Sequence, residues 1–152
     1  MFKEADVEAV NDEMSRQLRE QAGAYVDASY YCPFHPEATL PEYKADHAWR
    51  KPKAGMLFQA AADFGLELGQ CWMVGDSWRD VGAGAAAGCR TILVKDPERK
   101  YTAEDERMEK TVSPHFVVRN LGDAARIIVR EGRQGPPPAP PASGKGPEGR
   151  RP

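Results

Sequence analysis

Two carboxylates in the stretch WMVGDSWRD, residues 72–80, follow a short apolar run that closes on Gly75. Asp76 suits two kinds of chemistry there. It can cap a following helix by accepting hydrogen bonds from that helix's free N–H groups. It can also offer hard oxygen to a magnesium ion that keeps its other positions for phosphate and water. The residues by themselves leave both open. Asp80 lies about one helical turn further on, on the same face, where it could orient the loop or the metal's waters. A second stretch, RKPKAG at 50–55, places Arg50 and Lys51 before Pro52 at an expected helix start. Arg50 can grip a phosphate through its planar fork, and Lys51 can reach one as a point charge. Simple solvation of both is the alternative.

Such residues work only if regular elements hold them. CWMVG (71–75), RTILV (90–94) and HFVV (115–118) read as strands, and SWRDVGAGAAAG (77–88) and LGDAARIIVREG (121–132) as helices. Residues 96–113 read as a charged loop or short helix. Upstream, Val7, Val10, Met14 and Leu18 mark one stripe of a helix over 3–21, and YVDASYYC (25–32) reads as a strand. Residues 33–52 form a long irregular loop, and 56–64 resume a helical pattern. Strands alternating with helices predict an α/β fold whose parallel sheet is covered on both faces. Ligands of such sheets sit beyond the carboxyl ends of the strands, which is where Gly75 and Asp76 fall. The small residues of GAGAAAG (82–88) lie inside a helix and lack a P-loop lysine, so they are expected to serve close helix-to-sheet packing.

Composition narrows the function classes. The 152 residues are 41% apolar and 29% charged, enough for a packed core. A net charge of −2 gives no argument for nucleic acid or an anionic membrane as partner. No run of 18 apolar residues occurs and the N-terminus is acidic and polar, so the expected setting is cytoplasmic. Cys32, Cys71 and Cys89 are widely spaced and read as free, mostly buried thiols. Residues 133–152 contain 11 Pro or Gly among 20 and read as a disordered tail. Its four cations against Glu148 make it +3, leaving −5 for the body, residues 1–132.

YYCPFHPEA, WRKPKAGML and WMVGDSWRDVGAGAAAG, in this order and at these separations, resemble the haloacid dehalogenase (HAD) superfamily of phosphatases. Within it they are most similar to the D-glycero-D-manno-heptose 1,7-bisphosphate phosphatases and their histidinol-phosphatase relatives. The resemblance runs from about Phe2 to Arg130. It implies a HAD-type, Rossmann-like parallel sheet and magnesium-dependent hydrolysis of a phosphorylated sugar. It further implies Asp76 as magnesium ligand, Lys51 as the cation that stabilises the transferring phosphoryl group and Arg50 as a substrate contact. Asp80 takes a supporting role beside the metal, and Ser77 stands where some relatives carry a substrate-binding lysine. Phosphoryl transfer needs mainly positioning and charge neutralisation, which such a set supplies.

The departures are specific. The family's nucleophile lies in a DxDxT motif, and no DxD occurs in this chain. The family's phosphoryl-binding Ser or Thr motif has no counterpart either. The chain is therefore expected to begin after two of four catalytic motifs and to lack the N-terminal strands, without hydrolase activity of its own. Many relatives hold zinc in the loop through Cys and His. Here Cys32, His35 and His47 would supply only three ligands, so zinc is not expected and aromatic packing around Pro33, Phe34, Pro36 and Trp49 is. Two other function classes stay in view: an inactive remnant that binds a phosphorylated ligand or a partner, and an interaction module built on the proline-rich tail.

Overall fold

A computed structural model describes residues 4–132. The tail expected over 133–152 lies outside the described residues. The chain divides between Arg50 and Lys51 into two compact units.

In the first unit, helix α1 spans Glu4–Ala22. Its polar face is tied by Arg16, which donates to Glu13 and Glu20 one turn away on either side. The apolar stripe predicted for this helix exists, but Val10 and Met14 on it are exposed. No strand forms over 25–32, contrary to the sequence expectation, and Tyr25 and Val26 are exposed. A β-branched and aromatic run becomes a strand only where a neighbouring strand takes its N–H and C=O groups; among the described residues no strand pairs with it. The loop that follows is irregular as expected, with one turn of 3-10 helix at Pro41–Tyr43. Its rings pack together. Phe34 stacks on His47 with centroids 4.7 Å apart, and Trp49 meets His47 and Tyr30 edge-on at 6.0 and 6.2 Å.

The second unit is the α/β layer. After helix α2 (Gly55–Phe64) come β1 (Trp72–Gly75), α3 (Trp78–Ala87), β2 (Arg90–Val94), α4 (Ala103–Glu109), β3 (Phe116–Val118) and α5 (Leu121–Gly132). The predicted start of α2 at Pro52 is corrected to Gly55, with Ala54 as N-cap. All pairings are parallel in the order β1-β2-β3, with Val74 opposite Ile92 and Ile92 opposite Phe116.

β2 lies between its neighbours, and alternation sends its side chains to opposite faces. Leu93 joins Trp78 and Val81 under α3, flanked by Tyr101 and Met108. Ile92 joins Val118 and Ala124 under α5, flanked by Ile127 and Ile128. The sheet is thus covered on both faces, as an RTILV run buried from either side requires. The helix α3 approaches closely because it is built of small residues: a Cβ on Gly84 would come within 2.7 Å of Met73 Cβ and Thr91 Cγ2. At the other end of the strands, Arg90 lies 4.0 Å over the Trp72 ring and pairs with Glu131 at 2.8 Å, tying α5 to the sheet.

Candidate functional site

The carboxyl ends of the three strands surround a cleft of about 930 Å³. Lys51 enters it ahead of α2, Asp76 and Asp80 come from the β1 end, Asp96, Glu98 and Arg99 from the loop after β2, and Arg119 from the residue after β3. The structure therefore brings together Lys51, Asp76 and Asp80, three of the residues singled out by type and spacing.

Asp80 is the hub. It sits at the third position of α3 with its side chain 6% exposed. Its Oδ2 accepts from the Ser77 backbone N–H at 3.1 Å and from the Ser77 hydroxyl at 3.0 Å. Its Oδ1 is sealed from solvent and meets the Lys51 ammonium at 2.6 Å as an ion pair, off the direction of a hydrogen bond. The approach depends on Gly75, because a Cβ there would overlap the Asp80 side chain. Gly75 and Asp80 are thus one device, five residues apart. The Lys51–Pro52 peptide bond is cis.

Ser77, and not Asp76, is the N-cap of α3. Of the two chemistries open to Asp76, capping is thereby taken by its neighbour. Asp76 keeps its side chain 65% exposed at the rim and pairs with the Arg99 guanidinium. Ser77 is buried, its hydroxyl engaged by Asp80. The Arg50 guanidinium, in the first unit, lies 2.8 Å from His35 Nε2. The candidate zinc ligands are engaged separately: His35 with Arg50, His47 between Phe34 and Trp49, and the Cys32 thiol donating to the Phe34 carbonyl.

One residue that the motifs did not mark carries much of the local architecture. Asp105, 1% exposed, accepts from the Trp78 N–H at 3.0 Å and from the Thr102 hydroxyl at 2.7 Å. A single carboxylate thus serves the first turn of both α3 and α4. Burial pushes its carboxyl up, but the bonds from Thr102 and Trp78 and the charge of Arg79 outweigh it, so the group lies below the usual aspartate value. The Thr102-x-x-Asp105 spacing is a capping-box signal that would have found half of this role. Arg99 and Arg119 carry no local signal; only the fold places them.

The cleft's charges favour a cation. Lys51, Arg99 and Arg119 stand against Asp76, Asp80, Asp96 and Glu98, a net −1 that would repel a phosphate dianion. A divalent ion reverses that sign. Asp76 offers it solvent-facing hard oxygen, and magnesium is commonly held by one or two carboxylates with water and phosphate completing the shell. The fit is to an ion held through a single carboxylate, since among the described residues no three His, Cys, Asp or Glu side chains cluster to hold a metal.

The HAD-hydrolase-like family model matches residues 48–124, which includes every cleft residue. The chain is 38% identical over 113 residues to a D-glycero-alpha-D-manno-heptose-1,7-bisphosphate 7-phosphatase of Burkholderia mallei, covering 72% of this chain and 54% of that protein. It is 40% identical over 125 residues to a D-glycero-D-manno-heptose-1,7-bisphosphate 7-phosphatase of Thermosynechococcus vestitus, covering 80% and 63%. Among solved structures, D,D-heptose 1,7-bisphosphate phosphatase from B. bronchiseptica complexed with magnesium and phosphate superimposes with a TM-score of 0.65 at 32% identity, covering 86% of this chain and 66% of that one. The chain spans little more than half the length of the first of these relatives.

Proposed function

From the premise that the chain belongs to the HAD-hydrolase-like family, we propose that its cleft is the metal- and phosphoryl-binding part of a magnesium-dependent phosphatase acting on a phosphorylated sugar. A D,D-heptose 1,7-bisphosphate is the first substrate to try, since that is what the named relatives act on. One observation carries the reading: a lysine clamped to a buried aspartate shares a strand-end cleft with a second, solvent-facing aspartate.

In this reading Asp76 holds the magnesium ion, and Lys51 faces the phosphoryl group as a fixed positive charge. The ion, when bound, supplies neutralisation of phosphate charge. Asp80 sets where the Lys51 ammonium can stand, and Ser77 fixes Asp80. Arg50, in the first unit and held against His35 Nε2, is given no part in the cleft. Residues 1–132 are one portion of the phosphatase domain, in a cytoplasmic setting. No DxD sequence occurs among the 152 residues, so this chain is assigned binding and charge neutralisation but no nucleophile. The same absence favours a second reading, a site that binds a sugar phosphate without cleaving it.

Calorimetry with magnesium, then with inorganic phosphate in its presence, tests the site, and phosphate release from a heptose bisphosphate tests turnover. Binding lost in Asp76→Ala and Lys51→Ala supports the assignment. Release by the chain alone would overturn the non-cleaving reading. No binding of either ion would overturn both.

A further inference from the structure

The cleft holds two ion pairs of opposite character. Lys51 is committed: its partner Asp80 is 6% exposed and held by two further hydrogen bonds. Arg99 is not. Its partner Asp76 is 65% exposed and Arg99 itself 30%. Pairs in contact with water gain little over their separate hydration, and screening weakens them further. The backbone of Arg99 belongs to an irregular turn, anchored by its N–H to the Asp96 carbonyl at 3.2 Å and by Glu98 N–H to Asp96 Oδ1 at 2.8 Å. In the same arrangement its guanidinium carbon stands 5.9 Å from the Tyr101 ring, which the Lys95 ammonium approaches equally closely. The side chain thus sits on the proposed metal ligand and is weakly held there.

Resting on the metal-site reading above, we propose that Arg99 is a displaceable counter-ion of Asp76. It neutralises the carboxylate while no cation is bound. When a divalent cation takes Asp76, the guanidinium is released and becomes the cleft's exchangeable binder of the phosphate dianion. Its planar fork suits that ligand better than an ammonium does. The device makes two requirements of one residue with opposite signs. Arg99 must oppose the metal and favour the phosphate. A residue that only stabilises the loop would move both in the same direction.

The test uses the 152-residue chain, its Arg99→Gln and Arg99→Lys variants, and Asp76→Ala. Calorimetry measures the dissociation constant of magnesium alone and of inorganic phosphate with magnesium saturating; thermal unfolding checks that each variant is folded. Arg99→Gln is expected to bind magnesium about two- to five-fold more tightly, the scale of a solvent-exposed ion pair. It should bind phosphate about ten-fold more weakly, the scale of a lost charged hydrogen bond. Arg99→Lys should recover part of both effects. Magnesium affinity unchanged or weakened in a folded Arg99→Gln, with binding by the parent chain that Asp76→Ala abolishes, overturns this inference and leaves the metal site standing. No magnesium binding by the parent chain overturns the metal-site reading, and with it this one.

Discussion

The ammonium of Lys51 stands 2.6 Å from Oδ1 of Asp80, while Oδ2 of the same carboxylate is held by Ser77. One side chain therefore links the segment before α2 to the first turn of α3. Asp80→Ala would strand the Ser77 N–H and hydroxyl and free the lysine. Leaving buried polar groups unpaired costs about 1–3 kcal/mol, and a loss of that size is expected in urea unfolding. Asp80→Asn keeps an acceptor for Ser77 and should lose less. Equal stability of Asp80→Ala and the parent would contradict the hub role.

Gly75→Ala puts a methyl group into the space that the Asp80 side chain fills. Overpacking of that kind costs about 1–3 kcal/mol, and because it pushes on Asp80 it should weaken phosphate binding together with stability. Gly69, which has open space around its Cβ direction, is the control: Gly69→Ala should stay within about 0.5 kcal/mol of the parent.

Asp105 predicts a pH dependence with a defined sign. Its folded-state pKa lies below the ordinary value of 3.8. A carboxylate with a lowered pKa adds stability that is complete above the unfolded value and is lost as pH falls through the folded one. The stability difference between the parent and Asp105→Asn is therefore expected to be largest near neutral pH, about 1–3 kcal/mol, and to shrink in acid below pH 3.8. Thermal unfolding over a pH series measures it. A difference that grew in acid would show that the carboxylate is not the stabilising form.

Cys89 is 5% exposed, and burial, with the neighbouring Cys71, pushes its thiol up to about 11. Only about a thousandth of it is thiolate near pH 8, and the thiolate is the nucleophile. Alkylation of the folded chain at that pH should leave Cys89 unlabelled, and labelling should appear on unfolding. Prompt labelling of Cys89 in the folded chain, read by peptide mass, would contradict its burial.

The second unit was largely legible from its residues because its signals are local. ILV within RTILV is a continuous apolar run and the strand it forms is buried on both faces; of GAGAAAG, residues 82–84 are buried and Gly84 meets β1 and β2, while Ala85, Ala86 and Gly88 are exposed. The first unit was less legible. YVDASYYC has strand-forming side chains, but pairing depends on a partner strand that its own composition cannot supply. At the β1 end, only geometry could remove capping from Asp76, once Ser77 was seen to cap α3. Lys51 and Asp80 were each marked, but not their contact, since 29 positions of sequence separate them. Arg99 and Arg119 could not be marked at all, because a surface arginine has no spacing that tells which strand end it will face.

Asp105 fixes the far end of the segment that leaves β2. Val94 is set by the sheet at one end, and Thr102 by the Asp105 carboxylate at the other. Between them, residues 96–100 can change composition without moving either anchor, whereas Tyr101 packs on the Trp78–Val81–Leu93 cluster and stays. This stretch, which bears Arg99, is therefore a replaceable cassette. Descendants or designs could exchange it to accept a different ligand while inheriting the same sheet, the same helices and the same Lys51–Asp80 pair.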